Sequence, residues 1–414
     1  MKKLILLLLL PVAIFAQSFM LSNIPLPKTY IQNLDPYECD EECMQEYLDN
    51  GMIFSFLAHA YNKLEDMEQN EARVMFVSIF NLGAFHSGSQ LKIALLLPYK
   101  KIGKYASSTT NASFAYLMTK GHPFMLKSYK VESEEKEALQ IALDKMHSDG
   151  FEYIIAPLTK KGADNIIAIN PPLNIYFPTI NKKDVNTSSP FLSFGAIDYT
   201  AQSNLLLKEA VSPLVIFSDK SSTGKKLARH QKEEFINPTL EKEMPNLKER
   251  FKEEKLVVTN FISRRTTNLE YYLKEKEEIV HGSFFINTPI VKSGMVMSQL
   301  TLYDVNATNV LSTQINYDPL LLSMTQYIDR RNMVVANSIT NNNNILIETN
   351  SLLGNDIVYD WINYTTTVGV DYFYSLITDE DRIYNTKVEN NQMIYEVELL
   401  QPSRSKFVKY VRHN

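Results

Sequence analysis

The stretch FEYIIAPLTKKGADNI (residues 151–166) decides the fold. Tyr153, Ile154, Ile155 and Ala156 read as a short buried strand that stops at Pro157. Thr159 then stands where a helix cap belongs, and Ala163, Ile166 and Ile167 share one face of the helix that follows. A strand that feeds a helix N-terminus in this way is half of a parallel β-α-β unit. It sets that N-terminus at the edge of a sheet, where ligands are often held. Thr159 therefore has two readings, as a cap alone or as a cap that also meets a ligand.

The same alternation extends outward. KIALLLP (92–98) is a continuous apolar run, as in a parallel strand covered on both faces. A helix over SSTTNASFAYLMTKG (107–121) and a strand over FMLKSYKV (124–131) follow. SEEKEALQIALDKMHSDG (133–150) is an amphipathic helix with Ser133 as its expected N-cap; a full capping box is absent, because Lys136 takes the Glu position. LNIYFPTI (173–180) and FLSFGA (191–196) continue the set. It restarts with a helix at DYTAQSNLLLKEAVS (198–212), the strand PLVIFSD (213–219) and a helix at SSTGKKLARHQKEEF (221–235). KLVVTNFI (255–262), a helix over TNLEYYLKEKEEI (267–279), GSFFINTP (282–289) and MVVANSI (333–339) come next, then a polar loop, TNNNN (340–344). A long helix over 354–377 and strand-like RIYNTKV, MIYEVELL and KFVKYV finish the chain. Two successive βα sets make an α/β protein with parallel sheets.

Before this alternation, Met1-Lys2-Lys3 precedes an apolar run ending at Ala16. A basic start, an apolar run short for a bilayer and a small final residue describe a cleaved signal peptide over residues 1–16; the alternative is an uncleaved anchor. No later run is long enough to span a membrane. Removing Lys2 and Lys3 takes the net charge from −5 to −7, which argues against nucleic acid or anionic lipid as the main partner. Residues 17–90 read as an extended lead and then a small helical segment of two or three helices, with Asp35-Pro36 as a helix start. Cys39 and Cys43, the only cysteines, lie within it. In an exported chain this spacing suits a disulfide on one helix face. The rival is a metal site, but two thiols among acids with no nearby histidine fall short of a zinc set.

The order of these segments resembles the type I periplasmic binding protein family. KIALLLP, the amphipathic helix, YIIAPLTKKGA, FPTIN, FLSFGAIDYTAQ, PLVIFSDKSSTGKKL and the late VGVDYFYSL fall in that family's order across residues 91–410. The Ala-Pro-Leu turn followed by lysine resembles the lipoprotein activators of penicillin-binding proteins, which use this fold to touch another protein. The chain lacks their lipobox cysteine and long helical-repeat domain. It also lacks the Ser/Thr-rich loop by which amino-acid receptors grip an α-carboxylate; FPTINKKDV (177–185) offers only Thr179 nearby. The resemblance implies two lobes around a cleft: lobe one from 91–196 with about 350–385, and lobe two from 197–349 with about 386–414.

No catalytic set emerges. SSTGKKLARH lacks the P-loop glycine and Ser/Thr positions, which Asp219 and Lys226 hold, and reads as a capped helix start. The seven histidines are scattered, with no zinc-peptidase spacing, and there is no nucleophile elbow. The acids of ITDEDR (377–382) lack the spacing of a calcium loop. Tyr99, Tyr176, Phe177, Tyr199, Phe285 and Trp361 are candidate cleft aromatics, most of them core by default. The expectation is a periplasmic, non-enzymatic protein without metal or cofactor. It docks as a scaffold on an envelope protein complex, such as a cell-wall synthase or motility or secretion machinery. The alternative is capture of a small solute in the cleft. Tyr99, Thr159, Thr179, Tyr199 and Asp219, each at or near a strand end, are the ligand-contact candidates.

Overall fold

A computed structural model describes residues 31–412, apart from positions 32, 36, 38, 61, 81, 83–90, 121, 239–255 and 342. The signal-peptide reading lies outside the described residues. The described residues up to 82 belong to one compact unit and the two sheets to another. In the first, Asp40 caps helix α1 (Glu41–Asp49), accepting from the Cys43 amide at 3.0 Å. The helix start expected at Asp35-Pro36 is thus corrected to Asp40. Asp35 instead accepts from the Tyr37 amide in a turn. Helices α2 (Ile53–His59) and α3 (Met67–Ile79) complete the unit, with Asp66 capping α3. Met44, Phe56, Leu57 and Ala60 are its buried centre. Cys39 and Cys43 form the expected disulfide, their Cα atoms 5.3 Å apart.

The second unit carries two sheets. Strand β1 (Leu91–Leu97) is buried at every position but Lys92. A strand covered on both faces has no use for a polar alternation. It is followed by a short helix α4 (Tyr99–Ile102), helix α5 (Tyr105–Met118), β2 (Phe124–Lys130), α6 (Lys136–Ser148), β3 (Tyr153–Ile155), α7 (Lys160–Ile169), β4 (Asn174–Phe177) and β5 (Leu192–Phe194). The chain then passes through α8 (Tyr199–Leu207) into β6 (Leu214–Asp219), α9 (Ser222–Ile236), β7 (Val257–Ile262), α10 (Glu270–Leu273), β8 (Ser283–Asn287), α11 (Ile290–Leu302), β9 (Asn309–Ser312), α12 (Leu320–Met324), α13 (Tyr327–Arg330) and β10 (Met333–Asn337). Helices α14 (Asn344–Leu352) and α15 (Trp361–Thr378) precede β11 (Lys387–Glu389), β12 (Gln392–Ile394), β13 (Glu398–Pro402) and β14 (Phe407–Lys409).

The first sheet runs β2-β1-β3-β4-β5-β12-β11 and the second β7-β6-β8-β9-β10-β13-β14. One topology is therefore used twice. The core pairs are parallel, for example Ala94 opposite Ile154 and Val215 opposite Phe284. One edge of each sheet is antiparallel, β11 on β12 and β14 on β13, while β7 pairs parallel with β6 at the other edge of the second sheet. The chain crosses between sheets after β5, after β10 and again inside MIYEVELL, where β12 ends at Ile394 and β13 begins at Glu398.

Four sequence expectations change. Residues 387–394 join the first sheet, not the second lobe. Helix α6 starts at Lys136 with Glu135 in the cap position, and Ser133 accepts only a long bond from the Glu135 amide. The reason is that Glu134, next to Ser133, is drawn into the interior. Residues 267–279 hold only α10 and a 3-10 turn, because Glu275 takes a left-handed φ of 55° and ends the helix. The long late helix begins at Trp361 rather than near 354, capped by Asp360.

Helix α15 is held in the first lobe by two devices. Asp371 is fully buried and accepts from the Tyr116 hydroxyl (2.7 Å), the Ile383 amide (2.8 Å) and the Tyr384 amide (3.1 Å). Burial and the Asp371 carboxylate together push the Tyr116 phenol pKa far up, so it stays a donor. Gly369 lets Tyr176 close in: a Cβ there would lie 2.1 Å from the Tyr176 ring, whose hydroxyl donates to the Thr365 carbonyl.

Candidate functional site

In a parallel sheet the strand C-termini and the following helix N-termini lie on one edge. In the first lobe that edge comprises the turns after β1, β3, β4 and β5. The turn after β3 is the stretch 156–159. Thr159 holds the N-cap position of α7, yet its side chain makes no capping bond to the helix. Instead the Glu134 carboxylate, 2% exposed, lies over this N-terminus. It accepts from the Thr159 amide at 2.7 Å and from the Thr159 hydroxyl. Gly162 makes room for it, since a Cβ there would sit 2.9 Å from that carboxyl. Asn165 donates to the Glu134 carbonyl and fixes the loop. A negative charge at the positive end of a helix, held by charge-assisted hydrogen bonds, is a favourable arrangement.

Thr179, after β4, donates to the Leu158 carbonyl at 2.6 Å and so ties two strand-end turns together. Tyr99 is half-buried at the start of α4. Tyr199, half-buried at the start of α8, meets Trp361 edge-on with ring centroids 6.3 Å apart. Burial, followed by nearby Tyr105 and Asp360, pushes its phenol pKa up. Burial also raises the Asp360 carboxyl, opposed by the Asn363 and Ile362 amides it caps and by Lys104. Tyr199 and Trp361 thus share one place with Tyr105 and Asp360, which sequence reasoning missed. Asp360 carried a legible signal, an acid directly before a helical run. Tyr176, Phe177 and Phe285 are fully buried core.

In the second lobe Asp219 ends β6. It accepts from the Ser221 amide at 3.1 Å and hydroxyl at 2.5 Å, and Ser221 in turn caps α9 at the Gly224 amide. The expected capped helix start is therefore present. The other strand ends carry amides that satisfy one another. Gln202 donates to Ser338 (2.7 Å) and accepts from the Gln314 amide (2.9 Å), while Gln314 donates to Asn337 (2.9 Å). Asn287 and Gln231 exchange bonds of 2.7 and 3.1 Å. All six of these side chains are almost wholly buried. Across the cleft, Lys226 of α9 pairs with Asp184 of the β4–β5 connection. A cavity of about 600 Å³ lies away from this edge, at the N-terminal ends of β9 and β10, lined by Glu209, Asn309, Arg331, Asn332 and Arg412 among others. Among the described residues no cluster of His, Cys, Asp and Glu suits a metal ion, and no helix is long and apolar enough to cross a membrane.

The repeated sheet order, the three crossings and the cleft between strand ends are those of the type I periplasmic binding protein-like fold, which this chain has. No protein-family model matches the sequence, and no curated protein matches it. The likeness is structural. An ABC transporter substrate-binding protein from Sphaerobacter thermophilus superposes with a TM-score of 0.58 at 10% identity, over 78% of this chain and 97% of its own. The branched-chain amino acid binding protein LivJ from Streptococcus pneumoniae, solved with isoleucine, gives 0.52 at 9% identity, over 77% and 97%. LpoA from Haemophilus influenzae gives 0.53 at 10% identity, over 90% of this chain and 72% of LpoA. At such identity the likeness concerns the fold.

Proposed function

We propose that this is an exported, non-enzymatic two-lobed scaffold that docks on an envelope protein complex, with residues 31–82 supplying the docking surface. One observation carries the reading. The first-lobe helix N-terminus that could take a solute carboxylate is filled by the chain's own Glu134. Thr159, Thr179 and Asp219 likewise already have partners within the chain. A solute would have to break charge-assisted bonds worth roughly 1.5–3 kcal/mol each before gaining its own. A cell-wall synthase, or motility or secretion machinery, is the class of partner that fits an exported scaffold.

A second reading, solute capture, draws on the aromatic group of Tyr199 and Trp361 at the first-lobe edge. Photo-crosslinkers placed in turn at positions in 31–82 and on the cleft rim, at Thr159 and Lys226, separate the two in cells. Crosslinks to an envelope protein from 31–82 support docking. Silence there, together with a metabolite that raises the melting temperature of the purified protein, replaces it with solute capture.

A further inference from the structure

Charge is unevenly distributed along this chain. Residues 31–80 hold eleven acids, including Asp40, Glu41, Glu42, Glu46, Glu68 and Glu71, against only Lys63 and Arg73. The rest of the chain has 40 basic and 36 acidic residues. A local net charge of −9 on so small a unit is a strong attraction for a cation and a strong repulsion for an anion.

Helix α3 adds an apolar surface to that field. Gln69, Ala72, Phe76 and Phe80 fall on one side by helical spacing, and Ala72, Phe76 and Phe80 pack on the core of the unit. Met67 and Val74 stand opposite them, and Met75 and Ile79 lie on the flank beside Ala72; the four are 76%, 53%, 50% and 54% exposed. Glu68, Glu71 and Ser78 are interleaved with them. An amphipathic helix normally turns such residues inward; here they lie outside the face that the unit's own core covers. Two methionines make the outer side adaptable in shape. Phe54, 58% exposed, lies against Phe80 at the C-terminal end of α3, the ring centroids 5.0 Å apart.

We propose that this exposed surface of α3, which carries Glu68 and Glu71 in a unit of net charge −9, is the docking site for a basic amphipathic helix of a protein partner. Lysines or arginines on such a helix answer the acids, and its apolar stripe covers Met67, Val74, Met75 and Ile79. This is recognition of an amphipathic helix by an apolar surface with a complementary rim. The inference rests on the docking reading above and adds the partner's chemistry.

The test uses the mature protein and a fluorescein-labelled 18-residue helical peptide of leucine and lysine, with a scrambled peptide of the same composition as control. The amphipathic peptide is expected to bind, more weakly as salt rises. Val74→Gln with Met75→Gln should weaken it at least tenfold while circular dichroism and melting temperature stay put, since both sites are exposed. Glu68→Gln with Glu71→Gln should flatten the salt dependence. Absence of binding at low salt, equal binding of the scrambled peptide, or binding unchanged by Val74→Gln with Met75→Gln overturns the proposal. So does self-association in sedimentation that the same pair abolishes, because a second copy would then cover the face. Crosslinks from 31–82 to an envelope protein without peptide binding leave docking standing and refute only the cationic helix. Peptide binding without crosslinks leaves the site standing and refutes the scaffold role.

Discussion

Glu134 and Gly162 form a pair whose meaning lies in their distance. The carboxylate comes from the β2–α6 turn and caps a helix whose first turn has a glycine where it must pass. Glu134→Ala should cost about 1–2 kcal/mol, the loss of an N-terminal helix acceptor. Acetate at millimolar levels should then raise the melting temperature of that variant but not of the natural protein. Calorimetry in chloride and acetate decides this, and equal responses would mean that the site is not anion-shaped. Tyr176 poses the opposite problem, a ring with no room beside it. Gly369→Ala puts a methyl 2.1 Å from that ring and should destabilise by on the order of 3 kcal/mol or more. A urea midpoint within 0.5 kcal/mol, taken as about the size of a neutral surface change, would contradict it.

Helix α1 is stapled as well as capped. The Cys39–Cys43 bridge closes only a short loop, so by the loop-entropy relation it stabilises by about 2 kcal/mol. Cys39→Ser should loosen residues 41–60 in amide exchange and leave the two sheets unaffected. Helix α2 adds a pH response. His59 stacks on Tyr47 and accepts at Nδ1 from the Asn33 side-chain amide, and burial holds its pKa below 6.5 against the opposing pull of Asp35. The unfolded chain therefore takes up the proton first. Stability of this unit is full above pH 6.5 and falls as the pH drops below it. Amide protection over 41–60 should decline between pH 7 and 5, and His59→Gln should remove the decline.

For the molecule as a whole, residues 31–82 have a core of their own and the second sheet packs on another. A variant lacking 31–82 should keep the two-lobed fold and its melting temperature within a few degrees. Loss of cooperative melting would show that the body depends on the helical unit. The Lys226–Asp184 pair joins the lobes at exposed positions, and such pairs contribute no more than about 1 kcal/mol.

The sequence by itself determined the elements that depend on near neighbours. Runs such as Leu91–Leu97 and Leu214–Asp219 are apolar because they are covered on both faces, and that is visible residue by residue. The cap at Ser221 acts within three residues, so it too is legible. The order of strands and helices follows, and with it the repeated α/β fold. Thr159, Thr179 and Asp219 could be placed at strand ends from spacing alone. What Thr159 and Thr179 are bonded to could not be read, because the partners are a carboxylate and a carbonyl brought near by folding, Glu134 from 25 residues away and Leu158 from 21. The same holds for the break inside MIYEVELL. Its residues suit a strand throughout, and only the sheets available on either side send Gln392–Ile394 to one lobe and Glu398–Pro402 to the other. Tertiary structure decided these points because long-range hydrogen bonds and sheet edges leave no mark in local spacing.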